Sequence, residues 1–252
     1  TVASAEAVYD IPKEKLLKRD RSSRKYRFAS YSDVHTDAVK KNYKYDEIHW
    51  RKALDTAAAR DAQFIVMSGD YINNNVNFEG ISTAEWYIYQ KVLSESDYNN
   101  PVYEGIGNHE IRQNPTTELP EFIKATGLNG DTSSSDKGYF EKDINGDHFI
   151  FMELEKGFRP SKKQEQFSKE QLDWLEGLLE EYSGDGRNIY LIEHALFYKY
   201  GAGDRIDDEP YYSLPLYDPL ESTQRFKSIL ETYKDVIFLS GHTHIAFEYQ
   251  YN

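Results

Sequence analysis

Val236-Ile237-Phe238-Leu239-Ser240-Gly241-His242-Thr243-His244 is the stretch that decides the fold. Four apolar residues, three of them β-branched or aromatic, run straight into a small polar turn that carries two imidazoles. Such a run is too short for an amphipathic helix, and its composition suits a buried strand. The same arrangement occurs four more times along the chain. Tyr26–Ser32 precedes Asp33-Val34-His35, Phe64–Met67 precedes Ser68-Gly69-Asp70, Val102–Ile106 precedes Gly107-Asn108-His109-Glu110, and Asn188–Ile192 precedes Glu193-His194.

Helical patterns separate these strands, at Tyr45–Arg60, Thr83–Ser94, Thr117–Ala125, Lys169–Tyr182 and Ser222–Tyr233. In the fourth, Leu172, Leu175, Leu178 and Leu179 recur at helical spacing and predict a core face. Alternating strands and helices imply an α/β layered fold, which places its ligands at strand ends. Gly138–Leu154 reads as a hairpin turning at Asn145-Gly146. That antiparallel pair argues against one doubly wound parallel sheet, and packed mixed β-sheets flanked by helices fit better. With no internal repeat or long linker among the 252 residues, residues 26–252 read as one domain behind an N-terminal extension, residues 1–25.

The 30 Lys and Arg against 43 Asp and Glu leave a formal charge of -13, which repels nucleic-acid phosphates on average. A small anionic substrate remains compatible, because bound divalent metals reverse the local sign. Cysteine is absent, so any metal is held by imidazole, carboxylate or amide oxygen. No run approaches the roughly 18 apolar residues of a membrane span. Ala3-Ser4-Ala5 resembles the tail of a signal-peptide cleavage site. With the Cys-free, Tyr-rich, acidic composition it suits a secreted or cell-surface bacterial protein, a cytoplasmic one being the alternative. Oligomeric state is not legible in the sequence.

Singly, the strand-end clusters say little. Asp33 and His35 are one residue apart, so a continuing strand would turn both to one side, as it would His242 and His244. Gly107 permits a tight turn that exposes Asn108 and His109. Jointly they say much more: five of the seven histidines (His35, His109, His194, His242 and His244) stand at strand ends. Ordinary core histidines would not collect five times at one structural position. Carboxylate and imidazole together suit a borderline divalent metal.

In this order, Asp33-x-His35, Gly69-Asp70, Gly107-Asn108-His109-Glu110, His194 and Gly241-His242-x-His244, the chain resembles the calcineurin-like metallophosphoesterase family. The resemblance implies two packed mixed β-sheets flanked by helices, and a dinuclear metal-dependent hydrolase of phosphate esters with two divalent ions (Mn, Fe, Zn or Ni) as cofactors. It places Asp33, His35 and His244 on one metal and Asn108, His194 and His242 on the other, with Asp70 bridging. A metal-bridging hydroxide would be the nucleophile and His109 the general acid. Asn108, His109 and Asn73 are the expected substrate contacts, the substrate being a small phosphate ester, mono- or diester. Purple acid phosphatases share Gly-Asn-His-Glu, but they carry Gly at the position of His35 and a ligand Tyr at that of Asn73. An iron-tyrosinate centre is therefore not expected. Two rival readings are a protein-binding scaffold of the same fold and a nuclease of the same superfamily. The complete ligand set speaks against the first and the absence of basic runs against the second.

Other residues have plainer readings. Asp37 is read as an exposed loop carboxylate, with orientation of a ligand as the alternative. Asn73, Asn74 and Asn75 offer amides to a phosphate, and Glu110 is expected to fix its own loop. His49 and His148 are read as surface or structural. The tyrosines and acids of Phe197–Leu220 suggest a lid or substrate wall, with a solvated charged loop packed onto the body as the alternative. Only Ile245–Asn252 follow His244, which suggests a short family member or one domain of a longer protein.

Overall fold

The computed structural model describes residues 25–39, 43–75, 77–112, 114–127, 137–155, 166–197, 216 and 220–244. Thr1–Ala7, Ile245–Asn252 and all of Phe197–Leu220 except Phe197, Leu216 and Leu220 lie outside them. The strands are β1 (Phe28–Tyr31), β2 (Phe64–Met67), β3 (Val102–Glu104), β4 (Phe140–Ile144), β5 (Asp147–Phe151), β6 (Ile189–Ile192) and β7 (Val236–Leu239). The helices are α1 (Tyr43–Ala59), α2 (Ile81–Ser94), α3 (Pro115–Thr126), α4 (Lys169–Tyr182) and α5 (Glu221–Thr232).

The strands form two sheets, ordered β1-β2-β3 and β4-β5-β6-β7. The first is wholly parallel, with Phe28 opposite Phe64 and Ile65 opposite Val102. The second is mixed: β4 and β5 are antiparallel, while β5, β6 and β7 run parallel. The hairpin turns where expected, because Asn145 (φ 54°) and Gly146 (φ 84°) both accept the left-handed backbone that a two-residue loop requires.

An aromatic seam joins the sheets face to face. Phe28 of β1 stacks on Phe64 of β2 at 5.1 Å and meets Phe149 of β5 and Tyr190 of β6 edge-on. Helices cover the outer faces. On α1, Trp50, Leu54 and Ala57 share one buried stripe, and Trp50 stacks on Tyr89 of α2 at 5.3 Å. On α4, Leu172, Leu175 and Leu179 are fully buried while Leu178 is half-buried against the same core. Four of the five described helices begin one or two residues earlier than their periodicity suggests. Asn114 caps α3 ahead of Pro115, and Gly80 precedes Ile81 of α2. No helix among the described residues is long and apolar enough to cross a membrane. His148 is structural, stacked on Tyr182 at 3.5 Å with Nε2 2.9 Å from Asp185 Oδ2, and His49 is exposed.

Candidate metal centre

The segments following β1, β2, β3, β6 and β7 meet at the C-terminal ends of the strands. They are tied together by backbone. Asp33 donates its N–H to the Gly69 carbonyl and His35 to that of Asp70, both at 3.0 Å, and Gly241 to that of His194 at 3.0 Å. The motif glycines allow this approach. A Cβ on Gly69 would lie 2.5 Å from the Gly107 Cα, and one on Gly241 would strike Ser32 and Asp33.

The functional side chains converge, but not along continuing strands. Asp33 (φ 57°), His35 (φ 49°), Asp70 (φ 59°), His242 (φ 73°) and His244 (φ 52°) all lie in the left-handed region. Residues without glycine's freedom hold that conformation at a cost of about 1–3 kcal/mol each, and it collects at functional sites. The one-residue spacings therefore act through left-handed turns beyond the strand ends. That corrects the strand-alternation argument while keeping its outcome.

Two groups of ligand atoms result, Asp33, His35, Asp70 and His244 in one and Asp70, His194 and His242 in the other, each mutually within 4.8 Å. Asp70 belongs to both. Its Oδ2 lies 3.6 Å from His35 Nε2 and 3.0 Å from His194 Nε2, while Oδ1 accepts the His109 N–H at 2.9 Å. Approach to both groups is thus through one oxygen, not one oxygen each. In the first group His244 Nε2 is 3.1 Å from Asp33 Oδ1 and 2.8 Å from His35 Nε2. In the second, His194 Nε2 is 3.1 Å from His242 Nδ1. The His194 side chain is 0% exposed and that of His244 52%, so the second group is deep and the first opens to solvent.

The donor set fits divalent cations without sulfur. Asn108 Oδ1 adds an independent observation: it is buried and makes no hydrogen bond among the described residues. A buried amide oxygen left so is costly unless a cation takes it. His194 is oriented for the purpose, because Nδ1 donates to the Ser68 carbonyl at 2.8 Å and leaves Nε2 facing Asp70.

The electrostatics couple the carboxylates to the imidazoles. Burial alone would raise Asp33, but hydrogen bonds with His244 and His35 outweigh it and hold the carboxyl far below its ordinary range. Asp70 is likewise held down against burial by His194. Burial would lower His194, but Asp70 dominates and carries it up to about 10. Burial and then His194 press His242 down to about 4.

His109 stands beside the first group, its ring centroid 4.5 Å from that of His35 and its Nε2 3.9 Å from Asp70 Oδ2. Its Nδ1 donates to the Asn73 carbonyl at 2.5 Å. Burial, followed by His35 and Arg112, lowers His109 to about 4 against the pull of Asp70. Arg112, absent from the sequence-based candidates, donates to the same Asn73 carbonyl at 3.2 Å.

Two readings change. Asp37 is fully buried, not an exposed loop carboxylate, and its Oδ2 accepts from Asn73 Nδ2 at 2.8 Å. Asn74 is buried as well, its amide donating to the His109 carbonyl at 2.9 Å and to Glu118 at 2.6 Å. Glu110 does fix the loops: it accepts the N–H groups of Gly107, Asp70 and Tyr71, each at 2.8 Å. Tyr71 is buried, its hydroxyl bonded to the Gly105 carbonyl and turned away from the cluster.

A sequence model of the calcineurin-like phosphoesterases matches residues 26–246. No curated protein matches the chain. Among solved structures, the chain is similar to a dimetal phosphatase from Danio rerio, at 15% identity and TM-score 0.63, covering 89% of this chain and 85% of that one. It is also similar to the purple acid phosphatase PPD1 from yellow lupin (Lupinus luteus) seeds, at 13% identity and TM-score 0.54. That match covers 86% of this chain and 37% of the lupin protein. At these identities the two structures speak for the fold.

Proposed function

The chain belongs to the calcineurin-like phosphoesterase family, whose members are metal-dependent phosphoesterases, and from that premise we propose that it hydrolyses small phosphate esters at a two-metal centre. The observation that carries the proposal is the membership of Asp70 in both groups of ligand atoms. In this reading Asp33, His35 and His244 hold one cation, Asn108, His194 and His242 the other, and Asp70 both. When bound, two such cations would supply an acidified water for attack at neutral pH and positive charge to screen the phosphoryl oxygens. Mn, Fe, Zn and Ni all suit the donors.

The rest falls to the chain itself. His109 gives a proton to the leaving oxygen from Nε2, while Nδ1 stays bound to the Asn73 carbonyl. Burial, His35 and Arg112 oppose a charge on this ring, and the negative charge of a bound ester would favour it. Asn108 and His109 contact the substrate. Asn73, counted with them from the sequence, serves in this reading through its carbonyl. Residues 26–252 form the catalytic domain, residues 1–25 an extension before it.

Assays of p-nitrophenyl phosphate and bis-p-nitrophenyl phosphate, with each metal in turn, test the proposal. Turnover of at least one ester, abolished by a chelator, is expected. Failure to hydrolyse either with every metal overturns it.

A further inference from the structure

Beyond the ligand cluster, the loops after β1 and β2 share a buried polar link that the reaction as described does not use. Thr36 pairs with Ile72 in an isolated parallel bridge, and Asn73 donates its N–H to the Thr36 carbonyl at 2.9 Å. One residue further on, Asp37 and the Asn73 amide meet at 2.8 Å, while Asp37 Oδ1 accepts the Val39 N–H at 2.8 Å. From helix α2, Glu85 braces both loops, accepting Ala38 N–H at 3.2 Å and Asn74 N–H at 2.7 Å. The chain of contacts ends at His109, whose Nδ1 lies on the Asn73 carbonyl.

We propose that Asp37 is a positioning residue for His109, acting through Asn73. A carboxylate that is 0% exposed has no role in contacting solvent or a diffusing substrate. What it does is fix the side chain, and with it the peptide plane, of the residue whose carbonyl chooses the His109 tautomer. With Nδ1–H held by that carbonyl, Nε2 is the nitrogen turned to the phosphoryl site. The adjacent Asn74 holds the His109 carbonyl, so neighbouring asparagines clamp both ring and backbone of one histidine.

The inference rests on the proposed acid role of His109, and its test separates the two. Asp37→Ala and Asn73→Ala both keep the Asn73 carbonyl and cut the tether. Each is expected to lower kcat/KM for an alkyl phosphate by about 10–100-fold. The penalty with p-nitrophenyl phosphate, whose leaving group hardly needs a proton, is expected to be much smaller. Metal content stays at the wild-type level, and the double variant costs no more than either single one. Independently of activity, the Zn-loaded protein labelled with ¹⁵N-histidine should show the His109 ring as the Nδ1–H form in the wild type and as a tautomer mixture in Asp37→Ala. An unchanged His109 ring signal or loss of a metal overturns the proposal, as do equal penalties for both esters in Asp37→Ala where His109→Ala discriminates between them. If His109→Ala shows no leaving-group dependence while Asp37→Ala still alters the ring signals, the acid role fails and the positioning stands.

Discussion

Glu110 accepts the backbone N–H of Asp70 at 2.8 Å across 40 residues of sequence. The same carboxylate takes Gly107 and Tyr71, so one buried side chain satisfies three donors on the two loops that bear Asp70 and Asn108. Removing it strands those donors at about 1–3 kcal/mol apiece. Glu110→Ala should therefore lose several kcal/mol in urea unfolding, and Glu110→Gln should also lose stability because its amide sets N–H against N–H. Unchanged stability in both variants would contradict this role.

The aromatic seam makes a prediction about the fold alone. Phe64 is 2% exposed and touches Tyr26, Phe28, Tyr103 and Phe149. Phe64→Ala should cost about 3–5 kcal/mol, the range for large-to-small changes in a packed core. A loss below about 1 kcal/mol would mean that the sheets do not depend on this contact.

Glu104, at the end of β3, is buried with Tyr89 Oη donating to it at 2.8 Å. Burial pushes its acid up to about 8, with the tyrosine opposing. A raised acid binds more protons folded than unfolded, so its contribution to stability is complete below about pH 4.5 and lost as pH rises through 8. Glu104→Gln keeps an acceptor for Tyr89 and removes the titration. Between pH 5.5 and 8.5 the variant should gain on the wild type by about 1–3 kcal/mol in urea unfolding. Parallel pH profiles would show that Glu104 does not titrate in this window.

His109 gives a kinetic prediction. His109→Ala should retain both metals and lose about 10²–10⁴-fold toward alkyl esters. The loss should shrink with p-nitrophenyl esters. Equal losses for both leaving groups, or a missing metal, would remove His109 from the role of acid.

The strands, the Asn145-Gly146 hairpin and the leucine face of α4 were legible because each follows from local periodicity and turn chemistry, whereas the division into two sheets came from the family resemblance. The convergence of Asp33, His35, Asp70, His194, His242 and His244 was legible from five strand ends sharing one polar pattern. The left-handed backbone beneath these residues was not, because nothing short-range forces φ positive at Asp33 or His35; neighbouring loops impose it. The burial of Asp37 escaped for a related reason. A carboxylate two residues past a strand-end histidine is normally solvated, and only the parallel run of the second loop, with Asn73 opposite, encloses it. Arg112 lies three residues from His109 in a turn, a spacing that carries no pattern of its own.

Counting metals in the wild type and in Asp70→Ala tests the central claim most directly. Elemental analysis of protein reconstituted and freed of excess ion should give two equivalents per chain in the wild type. Asp70→Ala, lacking the oxygen common to both groups, should retain one or none and lose nearly all activity. A wild type that never holds more than one equivalent, or an Asp70→Ala variant that keeps two and stays active, would contradict a centre organised around Asp70.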